Sequence, residues 1–335
     1  MQYVYYLVSL MEEKHLDYLM SLMAKKGGES KQSASLHDMY VELNRLAGMY
    51  WIVCSCCLLG RLAPKLEYKV TRIKEKFNQQ LKMEAVVFDE LGGPLRTLSF
   101  VQLVELLIDS ESERQEIYRE SIIPQLIEFI AKYIQSPLET HLPFWFDMRG
   151  IYCLCVCLLL TGQLEAVSDI HRSCLIDYIY RSQAILGGFG ARPHSEAHGG
   201  YTFCAIATLQ ILKASVPNSG RLSVWLSKRL AEMNGRLGKP RDSCYLWWIG
   251  ASLINLGKGE VVLVENKSQI ELFLRNNCFV PDSGGISKYP SIPWDDKSVH
   301  GKQDADLFHT FLGIASLALM AGLIDPITVL PKSLP

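Results

Sequence analysis

Apolar residues along this chain fall into two kinds of segment that take turns. In the first kind almost every position is apolar and none is charged, as in LAGMYWIVCSCCLLG (46–60) and GIYCLCVCLLLTGQL (150–164). In the second, charges return at helical spacing, as in PKLEYKVTRIKEKFNQQL (64–81), LEAVSDIHRSCLIDYIYRSQAIL (164–186) and GRLSVWLSKRLAEMNG (220–235). A helix apolar on all sides is buried, and one with a single apolar stripe covers it. Alternation with period two is scarce, and no Asn-Gly or Asp-Gly hairpin lies between β-branched runs. The pattern predicts an all-α chain.

The all-apolar helices start near Leu46, Thr97, Arg149, His198, Ser243 and Leu307, a step of about fifty residues with a longer last one. Each unit is a helix pair, and neighbouring pairs bury each other's faces. Six pairs with fully apolar inner helices predict a closed α/α barrel, an α6–α6 toroid, because an open solenoid would leave one face of each inner helix in water. Residues 1–335 read as one such domain. Glycine turns at 91–93, 186–190, 198–200, 234–239 and 283–288 lead into several inner helices and gather at one end of the barrel. The loop PSIPWDDKSVHGKQD (290–304) reads as an exposed insertion. Between 60 and 148 the chain carries no chemical signal, although it reads as helical on either side of Pro124.

Composition narrows the function mainly by exclusion. Lys plus Arg (34) balances Asp plus Glu (35), so no overall field attracts nucleic acid or an anionic membrane. The longest uncharged stretches are 15 residues, short of the roughly 20 that span a bilayer. The first residues lack the basic start of a secretory signal, which places the protein in the cytoplasm. Most of the ten cysteines sit in apolar runs, where a reduced thiol is a small hydrophobe.

Asp242 and Cys244 lie two apart at the entry to one inner helix, and His309 lies early in the next. Carboxylate, thiolate and imidazole together make a three-ligand zinc site with an open fourth position. Spacing alone leaves a plain core reading open. Arg236 and Lys239 precede the pair, Tyr245 follows it, His198 opens another inner helix and Lys288 follows a third glycine turn. Such cations suit a phosphate or diphosphate, and solvated surface charge is the alternative. Aromatics at Tyr50, Trp51, Tyr152, Tyr201, Phe203, Trp247, Trp248 and Phe308 line a greasy cavity or are core.

Taken together, DMRGIYC (147–153), GGFGARPHSEAHGGYTFC (187–204), GRLGKPRDSCYLWW (235–248), GGISKYP (284–290) and DADLFHTFLGIASLALM (304–320) resemble the β subunits of the protein prenyltransferases. The resemblance implies an α6–α6 barrel with a lipid-lined funnel. It puts zinc on Asp242, Cys244 and His309, and a diphosphate on His198, Arg236, Lys239, Tyr245 and Lys288. The isoprenoid and peptide cavity falls on Ala47, Trp51, Arg149, Tyr152, Tyr201, Cys204, Trp248 and Phe308. It further implies an obligate heterodimer with a prenyltransferase α subunit, and proteins ending in Cys-a-a-X as acceptors.

Within the family, Lys288 stands where farnesyltransferases carry a magnesium-recruiting aspartate, which resembles the type I geranylgeranyltransferases and makes Mg2+ unnecessary. Ala47 stands where farnesyltransferases carry a tryptophan, leaving room for geranylgeranyl diphosphate, and Asp147-Met148-Arg149 is the type I spelling. Gly150 and Phe308 depart from the type I pattern. The resemblance thus implies type I, with Rho- and Rac-type small GTPases as acceptors. Farnesyltransferase, the Rab enzyme and a zinc-free helical scaffold stand as alternatives.

Overall fold

The computed structural model describes residues 14–15, 17–19, 45–62, 71, 74–75, 93–134, 142–143, 146–290 and 303–332. The helices are α1 (Arg45–Leu62), α2 (Gly93–Leu107), α3 (Glu111–Ile117), α4 (Ile123–Tyr133), α5 (Met148–Leu160) and α6 (Asp169–Arg181). They continue with α7 (Gly199–Ile211), α8 (Ser219–Glu232), α9 (Cys244–Asn255), α10 (Lys267–Leu272) and α11 (Leu307–Met320). α1, α2, α5, α7, α9 and α11 pack side by side in that order, and α11 packs back onto α1. The ring of six inner helices is closed. Their all-round apolarity has its reason there: α7 buries Thr202 through Leu209 without a break, and α9 buries seven of the eight residues from Leu246 to Leu253.

Outside the ring, α8 buries Leu222, Trp225, Leu226, Arg229 and Leu230, a single stripe at three- and four-residue steps, and lays it on α9. α2 starts at Gly93, four residues before the expected Thr97, because Pro94 sits in the first turn, where its missing N–H costs nothing. The 164–186 segment is a short 3-10 turn (Leu164–Ala166) followed by α6, which restarts when the Ser168 hydroxyl accepts the His171 N–H. Pro124 lies in the first turn of α4, following the five-residue π-helical stretch Tyr118–Ile122. One small antiparallel pair, β1 (Ile286–Ser287) with β2 (Ala305–Asp306), is an addition to the helical expectation. The 64–81 segment apart from residues 71, 74 and 75, and most of the 290–304 loop, lie outside the described residues. All ten cysteines are free thiols.

Residues near the N-terminus clasp the β1–β2 corner. The Gly285 N–H donates to His15 Nδ1 at 3.0 Å, and the Tyr18 hydroxyl donates to the Ala305 carbonyl at 2.9 Å. Burial holds the His15 imidazole down at about pKa 4, and burial followed by the charge of Arg236 does the same at His198. Both rings bind a proton more readily in the unfolded chain, so their stability is complete above about pH 6.5 and declines as pH falls toward 4. The expected loss is roughly 2–3 kcal/mol per histidine, seen as a falling urea midpoint. In His15→Asn, whose amide oxygen still accepts from Gly285, the pH slope becomes shallower; an unchanged slope contradicts the assignment.

Candidate metal centre and apolar cavity

Three inner helices begin at one end of the ring with a side chain that caps its own backbone. Asp147 accepts from Arg149 N at 2.9 Å, His198 Nδ1 from Gly200 N at 3.1 Å and Asp306 Oδ1 from His309 N at 2.9 Å. Helix N-termini carry partial positive charge, so this end of the barrel favours an anion before any side chain is counted.

Asp242, Cys244 and His309 meet at that end. One ligand atom from each lies within 4.8 Å of the others, and all three residues are buried. Asp242 is drawn in because its Oδ1 accepts the Cys244 N–H at 3.0 Å, at the start of α9. Ser243 locks the turn to the β1 corner through its N–H to the Lys288 carbonyl (2.9 Å) and its hydroxyl to the Ser287 carbonyl (2.8 Å). His309 Nε2 stands 3.4 Å from Asp242 Oδ1, while its Nδ1 lies 2.6 Å from Asp306 Oδ2. Burial opposes a charged ring at His309, yet hydrogen bonds and charge from Asp242 and Asp306 raise its pKa to about 9. Burial, then Asp242, pushes the Cys244 thiol well up. Without a cation the cluster therefore retains protons that a divalent metal displaces. These residues are placed to bind a metal, and one sulfur, one nitrogen and one carboxylate make a donor set that suits zinc.

Asp306 was not among the expected site residues, and it completes the carboxylate–histidine pair that orients a metal-binding imidazole. Its signal was legible: a carboxylate three residues before His309, at the helix entry. Asp306→Asn keeps the cap oxygen but sets an amide against the imidazole N–H. We expect apparent zinc affinity, read by chelator competition, to fall about 10–100-fold.

His198 and Tyr245 form a second unit beside the cluster. A backbone N–H only donates, so His198 Nδ1 is the acceptor from Gly200, and at pKa about 4 the neutral ring carries its proton on Nε2. That proton is donated to the Tyr245 hydroxyl oxygen, 2.8 Å away. The tyrosine O–H is left free to point elsewhere. Two glycines make room for its ring: a Cβ on Gly235 would run into the Tyr245 ring, and one on Gly199 would come within 3.0 Å of it. The glycine turns therefore do more here than end helices.

The expected cations spread around this end. Lys288 Nζ is 3.9 Å from Asp242 Oδ2, Arg236 pairs with exposed Glu196 at 3.1 Å, and Lys239 is exposed. Arg149 forks onto Asp147 at 2.7 Å and stacks 5.5 Å from the Tyr201 ring.

A cavity of about 430 Å³ runs into the ring from there. Trp51, Arg149, Tyr152, Cys204, Trp248 and Phe308 line it, and so do Tyr50 and Trp247. Ala47 and Tyr201 are not among its lining residues: Ala47 is buried in α1, and Tyr201 stacks 5.0 Å from His198. Phe203 is core, edge-on to Tyr152 at 5.3 Å. The α2 face at Leu98, Ser99 and Gln102 and the late residue Val329 were missed, since nothing local marks them as facing a ligand. At Gly150 the Phe146 ring fills the space that a side chain would occupy, 2.7 Å from where a Cβ would stand.

Residues 10–330 match the family described as the prenyltransferase alpha-alpha toroid domain. The chain belongs to this family. Among relatives of this prenyltransferase-family chain, the geranylgeranyl transferase type-1 β subunit of Arabidopsis thaliana is 32% identical over 55% of the chain, which spans 48% of that relative's length. The type-2 β subunit of Saccharomyces cerevisiae is 27% identical over 97% of the chain and 95% of its own length. The protein farnesyltransferase β subunit of Schizosaccharomyces pombe is 26% identical over 91% and 78%. A solved structure of Candida albicans protein geranylgeranyltransferase-I complexed with GGPP superposes with a TM-score of 0.67 at 20% identity, covering 96% of both chains, which establishes the shared toroid. Among the described residues of this family member, no helix is long and apolar enough to cross a membrane.

Proposed function

We propose that this prenyltransferase-family chain is the catalytic β subunit of a type I protein geranylgeranyltransferase. It transfers geranylgeranyl from its diphosphate to the cysteine of C-terminal Cys-a-a-X motifs ending in leucine, on Rho- and Rac-type small GTPases. It acts in the cytoplasm beside an α subunit. The observation that carries the reading is the convergence of Asp242, Cys244 and His309 at the end of the ring where helix N-termini meet, next to an apolar cavity whose wall residue Phe308 lies 5.1 Å, ring to ring, from His309. Lys288 beside the cluster and the Asp147–Arg149 spelling support type I. Phe308 in the cavity wall, with the farnesyltransferase relative, keeps the farnesyl enzyme as the second reading.

Asp242, Cys244 and His309 would hold zinc, which supplies a Lewis acid that makes a substrate thiol a thiolate at neutral pH. The aromatic walls take the isoprenoid, each buried methylene contributing about 0.8 kcal/mol. Sulfur forms a bond to C1 of the allylic chain as the C1–oxygen bond breaks, and the electron pair leaves with the diphosphate. Tyr245 donates its O–H to the leaving oxygens, strengthened by the His198 proton on its own oxygen. Lys288, Lys239 and Arg236, once released from Glu196, meet the growing charge. The Lys288 ammonium occupies the place of a recruited ion, so transfer proceeds without Mg2+.

Peptides alike except for a final Leu or Ser, paired with farnesyl or geranylgeranyl diphosphate, with and without Mg2+, test the reading on the heterodimer. The expected optimum is Leu with geranylgeranyl, insensitive to Mg2+. A Ser and farnesyl optimum that needs Mg2+ selects the second reading.

A further inference from the structure

One member of the stripe that α8 lays on α9 is out of place among leucines. The Arg229 side chain is only 4% exposed. A buried guanidinium is costly unless its donors are satisfied, and leucine or methionine would cover the ring better. Its partners lie just past the end of the helix: Nη1 donates to Asn234 Oδ1 at 2.6 Å and stands 3.1 Å from Glu232 Oε2.

Asn234 is itself buried and uses both ends of its amide. An arginine only donates and a backbone carbonyl only accepts, so the network fixes which end is which. Oδ1 faces Arg229, while Nδ2 donates to the Lys239 carbonyl at 2.9 Å and to Glu232 Oε2 at 3.1 Å. The side chain thus ties residue 234 to residue 239 across a four-residue turn, in which the Lys239 N–H donates to the Arg236 carbonyl at 3.3 Å and Gly238 takes φ +72°. Backbone bonds fasten the loop on either side. The Asp242 N–H donates to the Met233 carbonyl at 2.8 Å, and the Gly199 N–H, next to His198, donates to the Gly235 carbonyl at 2.9 Å.

The turn held in this way adds nothing to the core. Leu237 is 71% exposed, and Gly238 and Lys239 are exposed as well. What it carries is charge, Arg236 at one end and Lys239 at the other. A buried cation and a buried amide devoted to an exposed turn make sense if those two charges must keep a fixed spacing.

We propose that Asn234, gripped by Arg229, is a positioning residue for the diphosphate: it holds the 236–239 turn in the shape that brings both cations to that group before the substrate arrives. This rests on the diphosphate role given above to Arg236 and Lys239. Cations already in place bind without the ordering cost that a loose turn incurs.

The test is equilibrium binding to the assembled heterodimer of geranylgeranyl diphosphate and of geranylgeraniol, which shares the chain and lacks the charge. Asn234→Leu keeps the size of the side chain, breaks the tie and adds no charge. Affinity for the diphosphate should fall about tenfold while that for the alcohol stays within about twofold. Added to Arg236→Ala/Lys239→Ala, Asn234→Leu should change diphosphate affinity by less than about twofold, since the tie acts only through those cations. A purely structural defect would weaken both ligands or persist in that background. Either result overturns the proposal, as does an unchanged diphosphate affinity. If Asn234→Leu does not fold, Arg229→Met, which keeps the apolar stem and releases Asn234, is judged by the same comparisons. If Arg236→Ala/Lys239→Ala itself binds the diphosphate as wild type does, the diphosphate reading fails instead. The tie is then read from amide hydrogen exchange at Lys239, which should quicken about tenfold in Arg229→Met; equal rates overturn it.

Discussion

Cys244→Ser should purify without stoichiometric zinc and lose thioether formation by more than the 10–100-fold that follows loss of a ligand's hydrogen-bond partner. Cys244 is the only sulfur donor among the three, it starts α9, and its N–H is bound to Asp242, so the substitution alters one ligand atom and leaves the cap geometry intact. Elemental analysis of the heterodimer against wild type reads the metal, and single-turnover transfer to a Cys-a-a-X peptide reads the chemistry. A serine variant that retains both metal and full transfer contradicts the assignment of the site. The same outcome with Asp242→Ala or His309→Ala would lead to the same conclusion.

The second large effect is expected at Tyr245. Tyr245→Phe removes the hydroxyl that His198 polarises and should lower kcat by about 10²–10³-fold, as the loss of one aligned donor to a developing oxyanion does. The diphosphate KM should move little, because the contact gains strength only as the carbon–oxygen bond stretches. His198→Asn keeps an acceptor for the Gly200 N–H but cannot reach the tyrosine oxygen. It should cost a similar factor, and the double variant should be no worse than Tyr245→Phe alone, since the two side chains act as one unit. Additive losses would mean that each touches the diphosphate independently.

Much of the site could be located before the fold was seen, because helix entries are local events. Asp242, Cys244, His198 and His309 each lie at or within three residues of the start of an apolar run, and glycine turns lead into several of those runs. Lys288 follows one such turn directly. The second layer was less legible. Asp306 looks like an ordinary cap until its other carboxylate oxygen is found on His309. Residues 326–329 sit in a loop with no periodicity, and their placement comes from side-chain donors scattered between residues 50 and 255, one to each carbonyl from Asn255, Tyr152, Gln102 and Tyr50. Ala47 shares its face of α1 with Tyr50 and Trp51, three and four residues on, and those two larger side chains stand in the cavity wall.

The chain by itself determined which helices are buried on all sides, that these number six at a repeating interval, and which ligating and cationic side chains stand at their entries. Such properties follow from periodicity and capping, which act over a few residues. Only the tertiary structure decided that α11 closes on α1, that the imidazole and the thiol come within reach of one ion, and that the carbonyls of residues 326–329 are held by side chains of four inner helices. These depend on contacts between segments distant along the chain, and no local pattern encodes a distance between them.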